Sequence, residues 1–366
     1  MQLVSAERDA LLKPIQTVSG IVERRHTLPI LSNLLIRKTG TELSFLATDI
    51  EVQISTKAEC GEGQDVATTV AARKLLDILR ALPPGQVALE LNSKKLNIKS
   101  GRSRFALQTL PAEDFPTVAQ ATDFKASFSL TQKALKGLLA LVQYAMAQQD
   151  IRYYLNGLLM IVEKGMVKVV ATDGHRLAFA ALPVDAQVEK QEVIIPRKTV
   201  IELERLLEDS DELIRADIAS NQVRFQFGNV ELVSKLVEGK FPDYNRVIPS
   251  GYKNGFEISR EELIGCLTRA AILTNEKFKG VRCVVGDGSL KISCTNTDQE
   301  EAQEEAEIDY KGDTIDIGFN VTYLLDVLNH LKTEKITISL GDANSSALIT
   351  GGENAEFKYV VMPMRI

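Results

Sequence analysis

The chain has 366 residues, 45% hydrophobic and 25% charged, enough to bury a sizeable core and to form two or three domains. A formal charge of -6 excludes a surface that grips nucleic acid all over, because phosphate binding needs concentrated Lys and Arg. No run approaches the roughly 18 apolar residues of a membrane span, and the acids of "MQLVSAERDALLK" do not fit a secretory leader, so a cytoplasmic protein is expected.

In chain order, residues 5–19 ("SAERDALLKPIQTVS") read as a helix opened by Ser5, with Pro14 predicting a kink or an early stop. "KTGTELSFLA" follows as an antiparallel hairpin, residues 72–82 as a short amphipathic helix, and "SKKLNIKSGRSRFALQTL" as a second hairpin. Residues 131–147 read as the next helix, followed by strands around "VVATDGHRLAF" (169–179), a helix over 197–208 and the hairpin "SNQVRFQFGNVELVSKL". A helix over 259–273, opened by Ser259, the hairpin "GDGSLKISC" and a helix over 320–332 complete the series. The acidic run 297–309 ("TDQEEAQEEAEID") reads as a solvated loop, without the spacing of a calcium site.

This succession is a repeat. "LLIRKTGTELSFLATDIEVQI" (34–54) aligns with "LLMIVEKGMVKVVATDGHRLA" (158–178) and, more weakly, with "VRCVVGDGSLKISCTNTDQEE" (281–301), so that Thr48, Thr172 and Thr295 stand 124 and 123 residues apart. Downstream, Arg73, Arg197 and Val321 keep the same offset of 124, each at the start of a helix. Phe115-Pro116, Phe241-Pro242 and Met362-Pro363 close the units, so the chain reads as three copies of one α+β domain spanning 1–125, 126–252 and 253–366.

The repeat bears on the row Asp173, Gly174, His175, which looks like a catalytic loop. Ile50-Glu51 and Thr297-Asp298 occupy the equivalent places, so the row reads as a β-turn rather than as chemistry common to the domain. A hydrolase using His175 and Asp173 lacks a third orienting group, and no phosphate-binding loop, dinucleotide fingerprint, zinc-helix motif or nucleophile elbow occurs. Cys60, Cys266, Cys283 and Cys294 form no C-x-x-C pair, so neither a metal nor a cofactor is expected.

Seven motifs in order, "RRHTLPILSNLL", "SGRSRFALQTLPAEDFP", "QQDIRYYLNGLL", "ATDGHRLA", "KLVEGKFPDYNRVIP", "NEKFKGVR" and "YVVMPMRI", resemble the bacterial DNA polymerase III β subunits, the replicative sliding clamps, over the whole length. The resemblance implies the DNA-clamp fold: three repeated domains, each with two helices packed on antiparallel sheet, forming a ring as a head-to-tail homodimer around duplex DNA. It implies a non-catalytic processivity factor acting at the nucleoid. Its partners would be the polymerase III α subunit, the clamp loader, and other polymerases and repair proteins that dock through short peptide motifs. A three-domain scaffold that never encircles DNA is the alternative.

Helices packed at about 9 Å make the ring reasonable: six give an axis circle about 17 Å across and twelve about 34 Å. After about 10 Å of helix thickness, only the larger circle admits a duplex. The six expected helices carry thirteen basic and nine acidic residues, a net +4, which leaves -10 for the rest of the chain. A mildly positive lining with an acidic exterior draws phosphates to the hole.

The same resemblance assigns DNA contact to Arg24, Arg73, Gln149, Tyr153 and Tyr154, with Arg197 and Lys198 as the repeat equivalents of Arg73 and Lys74. Basic pairs at helix starts oppose the helix dipole, a cost that a bound anion would offset. The resemblance places a peptide pocket at Leu155, Thr172, Gly174, His175, Arg176, Leu177, Pro242, Arg246, Val247, Phe278 and Ser346, continuing through Val360, Val361, Met362, Pro363, Met364 and Arg365. Asn344 is polar where that pocket's edge is expected to be apolar. For assembly, Lys99, Arg102 and Arg104, read as lying on one strand, face the acids Glu300, Glu301 and Glu304 of a second copy, with Phe105, Leu107, Ile272 and Leu273 as an apolar centre.

Overall fold

The computed structural model describes residues 2–23, 28–61, 64–92, 94–186 and 188–365. Its strands are β1 Gln2–Glu7, β2 Asn33–Thr39, β3 Glu42–Thr48, β4 Val52–Glu59, β5 Val66–Ala71, β6 Gln86–Asn92, β7 Lys95–Ser100, β8 Ser103–Leu110, β9 Ala126–Thr131, β10 Gly157–Glu163, β11 Met166–Thr172 and β12 Arg176–Pro183. The series continues with β13 Gln191–Pro196, β14 Leu213–Ile218, β15 Gln222–Phe227, β16 Val230–Lys235, β17 Asn254–Ser259, β18 Gly280–Gly286, β19 Ser289–Thr295, β20 Glu301–Glu307, β21 Ile315–Asn320, β22 Lys335–Leu340, β23 Ala347–Gly351 and β24 Lys358–Val361. Six α-helices occur among the described residues: α1 Arg8–Ser19, α2 Ala72–Ala81, α3 Gln132–Ala140, α4 Arg197–Leu206, α5 Arg260–Ala271 and α6 Val321–His330.

The chain packs as two compact units, one formed by the residues up to Lys133 with Ile201–Leu236, the other by Ala134–Val200 with the residues from Val237 onward. The first holds a twelve-stranded sheet in the order β1-β6-β7-β8-β5-β2-β3-β4-β16-β15-β14-β9. Within it, β4 pairs antiparallel with β16, Thr56 opposite Val230, and so joins the first sequence repeat to the second. The second unit holds an eight-stranded sheet, β13-β10-β11-β12-β24-β23-β22-β17, and a four-stranded sheet, β20-β19-β18-β21. There the β12–β24 ladder joins the second repeat to the third.

Helix periodicity explains the packing. α1 buries Leu11, Pro14, Ile15 and Val18, a stripe at i, i+3, i+4 and i+7, against α2, β3 and β4. α5 does the same with Leu263, Cys266, Leu267 and Ala270 against α6, β19 and β20. Each fully buried Leu in these stripes contributes about 2 kcal/mol. The expected hairpin turns fall where glycine permits a left-handed backbone: Gly40 (φ 58°) between β2 and β3, and Asp287-Gly288 (φ 46° and 74°) between β18 and β19.

Four local expectations are corrected. Ser5 does not cap a helix: it lies in β1 opposite Ala88, and α1 begins at Arg8 without a side-chain cap on Glu7. Pro14 does not end α1, which runs on to Ser19. The helix expected over 131–147 stops at Ala140, and a 3-10 turn follows at Gln143–Ala145. The acidic run is an edge strand, β20, paired with β19 from Glu301 opposite Thr295 to Glu307 opposite Ser289. Ser259 does cap α5, accepting from the Glu262 N–H.

Candidate peptide groove and DNA-contact residues

The row Asp173-Gly174-His175 is the turn between β11 and β12. The Thr172 hydroxyl donates to the Arg176 carbonyl (2.6 Å) and accepts the Gly174 N–H, while Asp173 Oδ1 accepts the N–H groups of His175 and Arg176. Asp173 Oδ2 accepts from Arg176 Nε at 3.0 Å, so both carboxylate oxygens are committed to the turn and to Arg176. The same bonds recur 124 residues earlier, where Thr48 and Asp49 close the β3–β4 turn around Ile50 and Val52. Ile50 holds φ 80° where Gly174 holds φ 89°. The motif builds a corner rather than an acid–base pair.

Arg176 is the hub of this corner. Its buried guanidinium pairs with Asp326 of α6 (Nη1 to Oδ2, 2.5 Å), donates to the Tyr144 carbonyl and lies 4.5 Å from the ring centre of Tyr323. Burial works against its charge, but Tyr359 and Asp326 outweigh burial and hold the guanidinium above its ordinary value. Tyr144 stacks on His330 with ring centres 4.4 Å apart. Asp326, Tyr323 and Tyr144 were not singled out from sequence; the available signal was that Tyr323 and Asp326 share a helix face at i, i+3.

Beside the turn lies an apolar cluster in which Leu155, Leu177 and Val360 meet Phe179, Ile194 and Phe241, with Tyr154, Tyr244, Ile248 and Leu348 packed against it. The β12–β24 ladder sets Leu177 opposite Val360 and Arg176 opposite Val361. Beyond β24 the chain is tied down twice: the Met362 N–H donates to the His175 carbonyl and the Met364 N–H to Gly318. Met362 and Val247 are exposed apolar residues, His175, Pro242 and Arg365 are exposed, and Pro363 is half-buried. Arg246 pairs with Asp243, and the Ser346 carbonyl accepts the Tyr252 hydroxyl. The exposed Asn344 donates its N–H to Asp342. Phe278 is set by its own loop, where Asn275 accepts its N–H and Lys277 lies over its ring, rather than by the cluster.

Of the residues assigned to DNA, Arg24 lies outside the described residues. Arg73 opens α2 and donates to the Val22 carbonyl, and Arg197 opens α4 and donates to Met146. Both therefore tie a helix start to neighbouring backbone, which offsets part of the dipole cost that the sequence left to an anion. Burial, then the charge of Arg176, holds Arg197 below its ordinary value. Lys198 is half-buried. Gln149 adopts φ 56°, and Tyr153 is 56% exposed. Tyr154 turns the other way, onto the apolar cluster.

The assembly residues fall on two strand borders. β8 pairs with β7 along its length but reaches β5 only at Thr109 and Leu110, so Ser103–Gln108 present an open edge. Arg102 is in the β7–β8 turn, not on a strand as expected, because Gly101 (φ 53°) and Arg102 make the corner. Lys99 already pairs with Glu90, Arg104 bonds the carbonyls of Gly101 and Ser103, and Glu304 is held by Arg269. Glu300 accepts from the Asn296 amide, and Glu301 is exposed at the start of β20. Phe105 is exposed and Leu107 half-buried on β8, while Ile272 is 76% exposed just beyond α5, with Leu273 half-buried. The helices carry twelve basic and seven acidic residues. No cluster of three or more His, Cys, Asp or Glu suited to a metal ion, and no helix long and apolar enough to cross a membrane, occurs among the described residues.

Three repeats of paired helices on antiparallel sheet define an α+β protein of the DNA-clamp fold. Three family models match in order: the N-terminal domain of the DNA polymerase III beta subunit over residues 1–119, the central domain over 129–243 and the C-terminal domain over 245–365. The beta sliding clamp of Pseudomonas aeruginosa is 46% identical over 365 residues, covering 98% of this chain and 99% of the relative. That of Escherichia coli K12 is 45% identical over 364 residues, covering 99% of both. Among solved structures, a P. aeruginosa polymerase III subunit beta bound to griselimycin superposes with TM-score 0.96 at 44% identity over 100% of both chains. The Caulobacter crescentus polymerase III beta does so with TM-score 0.93 at 37% identity. The chain belongs to the DNA polymerase III β subunit family, the bacterial β sliding clamps.

Proposed function

We propose that two copies of this chain join head to tail into a ring around duplex DNA and hold the replicative polymerase on its template, conferring processivity without chemistry of their own. The observation that carries the ring is a pair of open strand edges in a chain of the clamp family: β8, flanked by Lys99, Arg102 and Arg104, and the acidic β20. Three domains, 1–125, 126–252 and 253–366, would contribute two helices each to the lining. Arg24, Arg73, Gln149, Tyr153, Arg197 and Lys198 then meet DNA phosphates without reading bases, because a base-specific bond would anchor what must slide, while Tyr154 serves the apolar cluster instead. The site of action is the nucleoid in the cytoplasm.

The cluster beside the Asp173 turn supports a groove for short apolar peptide tails of the polymerase α subunit, the clamp loader and repair proteins. Tyr244 and Ile248 pack on the cluster of Leu155, Leu177 and Val360, Val247 between them in sequence and Met362 beyond β24 are exposed, and flexible Met suits a surface that takes several partners.

The test of encirclement is topological. The clamp is loaded on a nicked circular plasmid by its loader, washed in high salt, and the plasmid is then linearised. Retention until the ends are free, then loss, is the expected result; clamp that stays on the linear product overturns encirclement.

A further inference from the structure

One side chain joins the loop that carries Gln149 and Tyr153 to the turn that carries Gly174 and His175. Arg152 grips Asp150 with two prongs, Nε to Oδ1 at 3.0 Å and Nη2 to Oδ2 at 2.8 Å, and Nη2 also donates to the Asp173 carbonyl at 3.1 Å. Its guanidinium lies against Gly174, where an added Cβ would come within 2.9 Å of both terminal nitrogens. Glycine at 174 thus serves both the positive φ and the seat for Arg152.

The loop is internally rigid. Asn156 accepts the Asp150 N–H and donates to the Asp150 carbonyl, both at 2.9 Å, and the Arg152 N–H donates to Asp150 Oδ1. A second tie runs from Tyr153, whose hydroxyl end lies against Gly239 in the segment leading to Pro242. The loop therefore touches two stretches that border the apolar cluster. The Arg152 tie runs from a charged guanidinium to a peptide carbonyl and is partly solvent-facing, with 45% of the side chain exposed. A phosphate oxygen is a stronger acceptor for a guanidinium than a peptide carbonyl, and arginine binds phosphate with two parallel bonds. A duplex held, as proposed, at Gln149 and Tyr153 on the same loop would bring such oxygens toward the exposed face of Arg152.

Building on the DNA and peptide sites proposed above, we infer that Arg152 is a positioning residue that couples them. DNA draws the guanidinium off the Asp173 carbonyl, uncovers Gly174 at the groove and tightens peptide binding about fivefold. Linkage requires peptide to tighten DNA binding by the same factor.

The experiment uses the intact clamp and a fluorescent synthetic peptide carrying the C-terminal tail of the polymerase III α subunit of the same organism. Its anisotropy is titrated at low salt with and without a saturating short duplex. Wild type is expected to bind about fivefold tighter with DNA. Arg152→Ala should bind peptide without DNA as tightly as wild type does with it, and gain nothing further. Asp150→Asn, which loosens the same grip while leaving Arg152 in place, should lose most of the gain. Amide exchange at Gly174 and His175 should rise with DNA in wild type alone, a response that a merely structural role for Arg152 would not produce. Wild type that binds both ligands with affinities indifferent to each other, or an Arg152→Ala protein that keeps the full gain, overturns the coupling. A clamp that binds no peptide, or no duplex, overturns the site reading and the coupling with it.

Discussion

Asp217 has no exposed surface, yet three side chains converge on it with four hydrogen bonds: the Ser127 hydroxyl at 2.6 Å, Arg215 Nε at 2.8 Å, and Arg224 Nη2 at 2.8 Å and Nε at 3.2 Å. Burial alone would raise its carboxyl, but the hydrogen bonds from Ser127, Arg215 and Arg224 outweigh burial and hold it below its ordinary value. The resulting stability is present above the unfolded carboxylate pKa of about 3.9 and is lost as pH falls through the lower folded value. Asp217→Ala should cost about 3 kcal/mol in urea unfolding at neutral pH, because it strands the largely buried Arg224. The gap from wild type should narrow as pH drops below about 4; an unchanged gap there would show that charge is not the cause. Tyr144 is the opposite case, a buried hydroxyl without a partner among the described residues. Tyr144→Phe should leave stability unchanged or raise it by up to about 1 kcal/mol, and a loss of more than that in the same unfolding assay refutes the reading. Neither residue was legible in the sequence. Period-2 alternation tells which residues share a face, but a lone Asp in "LIRADI" reads as solvent-facing, since its partners Ser127 and Arg224 come from other strands.

Elements were more legible than residues, because they follow from local patterns. The hairpins at Gly40, Gly101, Gly228 and Gly288 fall where their turn residues predict, each glycine with positive φ. Helix starts were less legible: Ser5 followed by acids suits a cap, but pairing of β1 with β6 claims it for a strand, a tertiary contact that overrides local propensity. The repeat supplied the most. It identified the Asp173 row as a turn, and the recurring Thr and Asp bonds at 48–52 give the physical reason. It could not indicate Arg152 or Asp326, whose bonds to Asp173 and to Arg176 span 21 and 150 residues of sequence. The β3–β4 turn places a β-branched residue, Ile50, in a left-handed conformation natural to glycine. Ile50→Gly should therefore stabilise the protein by about 1 kcal/mol despite the greater chain entropy of glycine. Gly174→Ile should cost more than the reverse change gains, since it adds a collision with Arg152 to the strain. Chemical denaturation of both variants decides it, and a destabilised Ile50→Gly protein would mean that the side chain contributes more than its backbone costs.

At the scale of the whole molecule, the proposed ring depends on what closes the two open edges. The sequence suggests charge, with basic residues at 99–104 against acids at 300–304, but Lys99 is already neutralised by Glu90 and Glu304 by Arg269. Charges satisfied within one chain have less to gain from a second, so the apolar residues should carry the contact and the charges should set its direction. An exposed strand edge with Phe105 on it is an aggregation hazard unless a partner covers it, and Ile272 is the most exposed of the large apolar side chains described in the third repeat. If Ile272 and Leu273 seat against the β8 edge, Ile272→Ala with Leu273→Ala removes about 3 kcal/mol per interface. That weakens each interface about 100-fold. Sedimentation equilibrium at micromolar concentration should find wild type at twice the chain mass and the double variant shifted toward monomer. Raising the salt several-fold should move wild type little, because screening acts on exposed charges and not on buried apolar area. A wild-type protein that stays monomeric removes the ring altogether, whereas a dimer that salt dissolves and the double variant does not would return the interface to its charges.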